Sequence, residues 1–570
     1  MCDVVFVTLN MNNTVTTENM GTMELATILH SKGISCEILP FWKIGDLNDF
    51  ENFINNAIKI IDEKKPKIVS FYTRCDFYHI ELRLAERIKE RLSDIYIVFG
   101  GPQADITSED TIRKIPYVDF VCCGEGENTV YPLFSSLLKG EPDLSVDGLV
   151  YREGDIVKKN PRPALVEDMD SLPIVDFSLA NYDNMLQENI FAVEVGRGCH
   201  FGCTFCSTNS FWGRKYRLKS PQRIVDEIKL LHEKMGITKF AFMHDMFTFK
   251  KSTVMEVCKL LKTLDFPVEW SCSARLDCLD YEMIDAMIDS GMYNIYFGVE
   301  TGSPRMQKLI NKNLKIENAV EIIDYLNNKN VDVITSFIYG YPEETEEDIS
   351  YTLSLIGALL NLKNVEINTH LCAFLPQTPL TQKYKDFLVP TQQYSNFTGE
   401  YAIEECKDII DNNPELFAQV MEYKTELRSK LRYFAVFIRL WKLLSPIFQY
   451  MSESYSSERK IEMYFDFVED NREILENNEN LPVKEFGELL IKNDKFKLRW
   501  ASDANYDIIS DYYRLHNMLC ENNSVSGYYG ADVFCFDPKE AKKQLSIRDY
   551  NKGSYVVVCN NGKVASFPKK

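Results

Sequence analysis

The sequence predicts an α/β protein. It has a doubly wound parallel sheet at the N-terminus, a partial barrel of six βα units after it, and a mainly helical C-terminal region. Three observations predict this. Short apolar or β-branched runs alternate with helical patterns twice along the chain. A proline-bearing acidic stretch, Asn160–Phe177, separates the two series. Beyond about residue 386 the alternation stops. The bounds that follow are residues 1–159, a connector over 160–188, a second domain over 189–385 and a C-terminal domain over 386–570.

In the first domain the strand-like runs are Val4–Thr8, Cys36–Pro40, Ile68–Tyr72, Ile95–Phe99 and Phe120–Cys122. Helical patterns lie at Met20–His30, Phe50–Glu63, Ile80–Leu92 and Thr129–Leu138. In such sheets ligands sit beyond the carboxyl ends of the strands. Two glycine-bearing loops fall there, Gly100-Gly101-Pro102-Gln103-Ala104 and Gly124-Glu125-Gly126-Glu127. Glycine lets backbone approach a bulky ligand closely.

In the second series the strands are Ile190–Val195, Lys239–Met243, Val268–Cys272, Asn294–Gly298, Val331–Ile338 and Val365–His370. Helices are expected at Pro221–Met235, Ser252–Leu264, Tyr281–Ser290, Ile316–Asn328 and Thr345–Leu359. Six strands are too few for a closed eight-unit barrel. The last third reads as helices at Tyr401–Ile410, Met421–Phe434 and Phe434–Tyr450, then a hairpin of Val556–Cys559 and Lys563–Phe567 around Asn560-Asn561-Gly562.

Composition narrows the function classes. The formal net charge is −20 over 570 residues, which argues against nucleic acid as the main partner. The 16 cysteines are scattered rather than framed as pairs, which points to a reducing, cytoplasmic setting without disulfides. Residues 1–9 have neither signal-peptide nor transit-peptide character, and no uncharged run reaches the length of a membrane span.

The chemistry is concentrated in Gly196-Arg197-Gly198-Cys199-His200-Phe201-Gly202-Cys203-Thr204-Phe205-Cys206. The C-x3-C-x2-C spacing of Cys199, Cys203 and Cys206 puts three thiolates on one short loop. Iron–sulfur clusters are usually held by four cysteines, so three imply an iron left open for another ligand. A zinc site would want a fourth Cys or His at similar spacing, and unbound core cysteines are the plainer alternative. The loop resembles the cluster motif of the radical SAM superfamily, with Phe205 as the aromatic residue before the third cysteine. That resemblance implies a 4Fe-4S cluster, S-adenosylmethionine (SAM) chelated by the open iron, and an external one-electron donor such as flavodoxin or ferredoxin.

Other strand ends carry further resemblances. Asp245, in His244-Asp245-Met246-Phe247-Thr248, is similar to the family's D-x-F-T, and implies a carboxylate for the SAM amino group or a substrate; a helix N-terminal role is the alternative. Ser273 and Arg275 follow the third strand, where arginine suits two-point contact with the SAM carboxylate; a surface ion pair is the alternative. Gly298, Glu300 and Ser303 resemble the G-x-E-(S/T)-G-S segment, which implies Glu300 near the SAM ribose or amino group. Tyr339-Gly340-Tyr341-Pro342-Glu343-Glu344-Thr345 resembles a structural turn, with Thr345 as N-cap. His370 is either a proton donor at the barrel mouth or a packed histidine. The basic, aromatic stretch Trp212–Arg217 either holds an anionic group or forms a rim.

The first domain looks like the Rossmann-like cobalamin-binding domain that precedes many radical SAM enzymes. This implies cobalamin over Gly100, Gly101, Gly124 and Gly126. The stretch Leu9–Thr14 lacks the histidine that would bind cobalt from below, and a sheet that binds nothing is the alternative. The expected function is a cobalamin-dependent methyltransferase acting on an unactivated carbon of a small-molecule or peptide substrate. Rearrangement, cyclisation or oxidation without methylation is the second expectation, and a cluster-bearing sensor the third.

Overall fold

The computed structural model describes residues 2–9, 19–179, 190–360, 362–390 and 403–431, and a few short pieces beyond, among them strands after residue 524. It divides into two compact units. The first comprises residues 1–300, 304–338 and 370–424; the second comprises 301–303, 339–369 and 425–570.

The first unit holds a seven-stranded sheet. Its strands are β1 (Val4–Thr8), β2 (Cys36–Pro40), β3 (Ile68–Tyr72), β4 (Tyr96–Gly100), β5 (Phe120–Cys122), β6 (Leu149–Glu153) and β7 (Ile156–Lys159), in the order β2-β1-β3-β4-β5-β6-β7. The first five pair in parallel, and β6 and β7 add an antiparallel edge. β1 is buried along its whole length, as a strand covered by helices on both faces must be. Helices α1 (Met20–Ser31) and α7 (Val130–Lys139) bury Met23, Leu29, Leu133 and Phe134 against one face. The other face takes Phe53, Ile61, Leu84 and Ile88 from α3 (Phe50–Lys64) and α4 (Tyr78–Arg91). Short helices α2 (Phe41–Ile44), α5 (Pro102–Ile106) and α6 (Ser108–Lys114) fill the connections. Residues 403–424, far away in sequence, join this second face. Leu416 and Phe417 are fully buried there, Gln103 donates to the Leu416 carbonyl (2.7 Å) and Gln419 to that of Cys75 (2.8 Å).

The second sheet has β8 (Ile190–Glu194), β11 (Lys239–Met243), β12 (Glu269–Ala274), β13 (Met292–Glu300), β14 (Asp332–Tyr339) and β15 (Val365–Leu371) in the order β15-β14-β13-β12-β11-β8. Each pair from β8 to β14 is parallel. A two-residue ribbon, β9 (Gly196–Arg197) against β10 (Arg217–Leu218), closes the loop after β8. The helices between are α8 (Thr208–Trp212), α9 (Pro221–Met235), α10 (Lys251–Leu261), α11 (Tyr281–Asp289), α12 (Pro304–Leu309), α13 (Ala319–Asn328) and α14 (Glu346–Leu359). Phe242 stacks on the fully buried Trp270 with ring centroids 4.7 Å apart. A register shift sets Gly298 opposite Ser336 and Glu300 opposite Phe337, so Val299 is the extra residue of a β-bulge.

In the second unit Thr345 and Asp348 form the capping box of α14, as the Thr345 expectation required. The helix expected over Met421–Phe434 begins only at Glu426; Met421–Glu422 is a strand paired with Val389–Pro390 in the first unit's own residues. The predicted C-terminal hairpin is present as Ser554–Val558 antiparallel to Val564–Pro568. Most of Phe434–Tyr450 lies outside the described residues. Among the described residues no helix is long and apolar enough to cross a membrane.

Candidate active site

The cysteine loop is shaped by two glycines that tolerate no side chain. A Cβ on Gly196 would stand 2.3 Å from the Arg217 carbonyl oxygen, and one on Gly198, whose φ is +83°, 2.0 Å from that of Lys215. The loop is braced from three sides. Thr204 N donates to Ile310 O (2.9 Å), Leu380 N to Thr204 O (2.9 Å), and Asn311 Nδ2 to Gly202 O (2.8 Å). Cys203 is buried, and Cys199 and Cys206 are half-buried. Burial pushes all three thiols up, Cys206 to about 11, so in the metal-free chain they keep protons that metal binding would release. Among the described residues no group of three or more His, Cys, Asp or Glu side chains forms a metal-ion site. A four-iron cube asks for something different, because its thiolates bind different irons rather than converging on one ion. Three thiols on one braced loop suit that donor set. His200 turns aside, stacking on Phe249 at 5.3 Å between centroids. Phe205 is half-buried.

Asp245, after β11, clasps this loop from both ends. Its Oδ2 accepts from Gly198 N (3.1 Å) and its Oδ1 from the Thr208 hydroxyl (3.2 Å), so the carboxylate brackets all three cysteines. Arg275, after β12, is buried. Its two-point contact is with its own chain: Nε and Nη2 donate to Asp277 at 2.9 Å each. Nη2 also reaches Lys312 O (2.7 Å), Nη1 lies 4.0 Å from Cys203 Sγ, and the guanidinium carbon sits 3.7 Å from the centre of the Phe201 ring. Ser273, two residues before, is half-buried on β12.

Glu300 ends β13 at a φ of +71°, turned by the bulge, and pairs with buried Lys312 at 2.7 Å. Gly298 leaves room for this pair, since a Cβ there would stand 2.3 Å from Glu300 Oε1 and 2.9 Å from Lys312 Nζ and would displace those side-chain ends. Burial pulls His370 below its usual pKa, although Glu300 opposes the shift. In the second unit Ser303 is buried and donates to Asp348 Oδ1 of α14, a structural anchor.

The glycine loops of the first domain sit at the ends of β4 and β5, in a sheet whose order reverses between β1 and β3, the place where such folds bind ligands. Gly100 has room where a Cβ would stand, with only Cys122 O at 3.9 Å. The other three are closed by the chain itself: Gly101 by Thr73 backbone at 2.8 Å, Gly124 by Pro163 at 2.9 Å and Gly126 by Leu25 at 3.0 Å. Of the four, only Gly100, at the end of β4 and one strand from the switch point, leaves open space that would suit a bulky ligand such as a corrinoid. The stretch after β1, residues 10–18, lies outside the described residues.

The acidic residues between those glycines serve a buried ionic junction that sequence reasoning missed. Arg197, two residues before Cys199, contacts Glu24 of α1, Glu125 (2.9 Å), Glu127 (2.6 Å) and Glu194 (2.9 Å). Arg217 holds both oxygens of Glu125 at 2.8 and 2.9 Å. Burial, then the nearby Glu194, push Glu24 up to about 8 against the pull of Arg197. Burial also raises Glu125, but the hydrogen bonds from Arg217 and Val166 N together with Arg197 outweigh it and leave that carboxyl low. Trp212 lies beside both guanidiniums, 5.8 and 5.4 Å from ring centre to carbon. The Trp212–Arg217 stretch thus spends Arg217 on a partner from the first domain. The only sequence signal was the paired acids of Gly124–Glu127, which need cations once buried.

Residues 193–356 match the model of the radical SAM superfamily, and residues 8–133 that of the B12 binding domain. The chain is 30% identical over 307 residues to the protein named Uncharacterized methyltransferase PH0819 from Pyrococcus horikoshii, covering 54% of this chain and 67% of that one. The chain belongs to the radical SAM superfamily. It is an enzyme of the branch that carries a B12-binding domain ahead of the radical SAM domain. It is also 25% identical over 371 residues to the cytidylyl-2-hydroxyethylphosphonate methyltransferase of Streptomyces wedmorensis, with 57% of this chain and 69% of that protein covered. In fold it is similar to OxsB, a cobalamin-dependent S-adenosylmethionine radical enzyme solved with aqua-cobalamin bound. The TM-score is 0.62 at 15% identity, over 92% of this chain and 81% of OxsB.

Proposed function

We propose that this radical SAM enzyme is a cobalamin-dependent methyltransferase that acts on an unactivated carbon of a small-molecule or peptide substrate. The observation that carries the reading is the union of both cofactor domains in one chain, with the strand before the cysteine loop tied by Arg197 to Glu24 and Glu125 of the B12-binding domain. The methyltransferase relatives support methylation over the other radical outcomes. When bound, the 4Fe-4S cluster with SAM supplies a 5′-deoxyadenosyl radical, and cobalamin supplies the methyl group.

The chain's own residues have separable tasks. Cys199, Cys203 and Cys206 would hold the cluster by three of its irons, leaving SAM to be taken up at the remaining one. Asp245 fixes the loop at Gly198 and Thr208. Glu300, aimed by the bulge and held by Lys312, offers a carboxylate to the SAM amino group or ribose. Met243 and Phe249, exposed at and after the carboxyl end of β11, give that end an apolar surface for substrate. Gly100, at the end of β4, would give the corrinoid its approach to the strand ends, and Leu9–Thr14 offers no histidine to bind cobalt.

The test uses enzyme reconstituted without oxygen with iron, sulfide and hydroxocobalamin, then given a strong reductant and SAM bearing a deuterated methyl group. Deuterated methylcobalamin and 5′-deoxyadenosine are the expected products. Deoxyadenosine with an unlabelled corrinoid would favour cyclisation or oxidation instead. Iron-loaded enzyme that never cleaves SAM reductively would overturn the radical reading itself.

A further inference from the structure

We infer that Arg275 is a positioning residue that sets the reduction potential of the cluster through Cys203, rather than a residue that binds the SAM carboxylate. The inference rests on the reading of Cys203 as a cluster ligand.

Arginine recognises a carboxylate by presenting two parallel N–H groups along one edge. In Arg275 that edge is already taken. Nε and Nη2 face Asp277 at 2.9 Å each, and Nη2 is shared with the Lys312 carbonyl oxygen at 2.7 Å. What remains is Nη1, which points at Cys203 Sγ from 4.0 Å, within the range of an N–H···S contact. The guanidinium lies over the Phe201 ring at 3.7 Å and is 6% exposed, so it cannot swing out to a ligand without losing both contacts. Phe201 and Cys203 belong to the same loop, so one side chain packs that loop and charges it.

The charge is lopsided. Asp277 is 37% exposed on its side chain, so water screens it, whereas the edge facing Cys203 is dry. A net positive field therefore reaches the sulfur. Reducing a cluster adds one electron to the sulfur-bound irons, and a fixed cation with a hydrogen bond to a ligand sulfur stabilises that added charge. Arg275 thus makes the cluster easier to reduce. In this step one electron arrives from an external donor, no bond is made or broken, and no proton is needed.

The experiment is a dithionite titration of the reconstituted protein followed by electron paramagnetic resonance, with SAM left out so that a SAM-binding role cannot move the result. Arg275→Met is expected to shift the midpoint to more negative potential at unchanged iron content, with Arg275→Lys in between. Asp277→Asn, which leaves the cysteine loop untouched and frees the arginine charge, is expected to shift it the other way. Unchanged midpoints in Arg275→Met and Asp277→Asn, each with a full cluster, overturn the inference. If Arg275→Met fails to take up iron, the direction of the Asp277→Asn shift decides. Wild-type protein without any cluster signal would instead strike at the cysteine assignment, a separate failure.

Discussion

Replacing Arg197 by methionine would remove the cation shared by Glu24, Glu125, Glu127 and Glu194. Glu125 keeps Arg217 at 2.8 Å and Glu24 holds its proton up to about pH 8, so the burden falls on Glu127, whose side chain is 9% exposed. Among the described residues Glu127 Oε2 is already buried without a hydrogen-bond partner. Stranding one partner of a buried pair costs about 3–5 kcal/mol. A stranded carboxylate can escape by taking a proton, as Glu24 already does up to about pH 8. The cost should therefore depend on pH. A carboxyl whose folded pKa is raised stabilises the fold below its unfolded pKa, and that contribution is lost as pH rises through the folded value. The variant should thus lose about 3–5 kcal/mol near pH 8 and much less near pH 5. Urea unfolding followed by tryptophan emission measures it, and Trp212 is a reporter inside the junction. The double variant Arg197→Met/Glu127→Gln should recover part of the loss. A loss below about 1 kcal/mol at pH 8, or one equal at both pH values, would refute the stranded-charge argument.

Three further outcomes follow from the same geometry. Glu24→Gln alone should flatten the wild-type decline in stability between about pH 5 and 8, because the folded carboxyl holds its proton up to about 8 while the unfolded one ionises near 4.5; parallel unfolding curves across that range would contradict it. Asp245→Ala, which removes both ends of the clasp on the cysteine loop, should lower iron content after reconstitution, with Asp245→Asn retaining more; equal iron in all three would show the clasp to be dispensable. Gly298→Ala meets only flexible side-chain ends and should cost about 1 kcal/mol, whereas Gly198→Ala meets a backbone carbonyl at positive φ and should cost more, up to about 3 kcal/mol; thermal unfolding ranks the two.

Much of this was legible in the sequence, and what was not has a common cause. β1, β2, β3, β5 and β11 have the bounds their apolar runs predict, and β4 starts one residue later, since strand burial is written into local patterns. The cysteine spacing and the Gly298–Glu300 segment are likewise local. Partners are not. The glycine loops looked like room for a ligand, yet Gly124 and Gly126 are closed by Pro163 and Leu25. Arg275 looked like a carboxylate binder, and its carboxylate is two residues away in Asp277. Arg197 meets Glu125 across 72 residues and Glu24 across 173, separations that periodicity and spacing do not reach. The bulge that aims Glu300 depends on register with β14, which no single strand reveals.

One chain is expected to carry a corrinoid and a cluster together. The direct measurement is metal and corrinoid content on the same preparation, purified without oxygen from cells supplied with cobalamin. Iron and sulfide analysis is set beside mass spectrometry of the extracted corrinoid. One four-iron cluster and one corrinoid per chain are expected, with the triple variant of Cys199, Cys203 and Cys206 to alanine losing the iron and keeping the corrinoid. Iron without corrinoid, or a triple variant that keeps its full cluster, would contradict it.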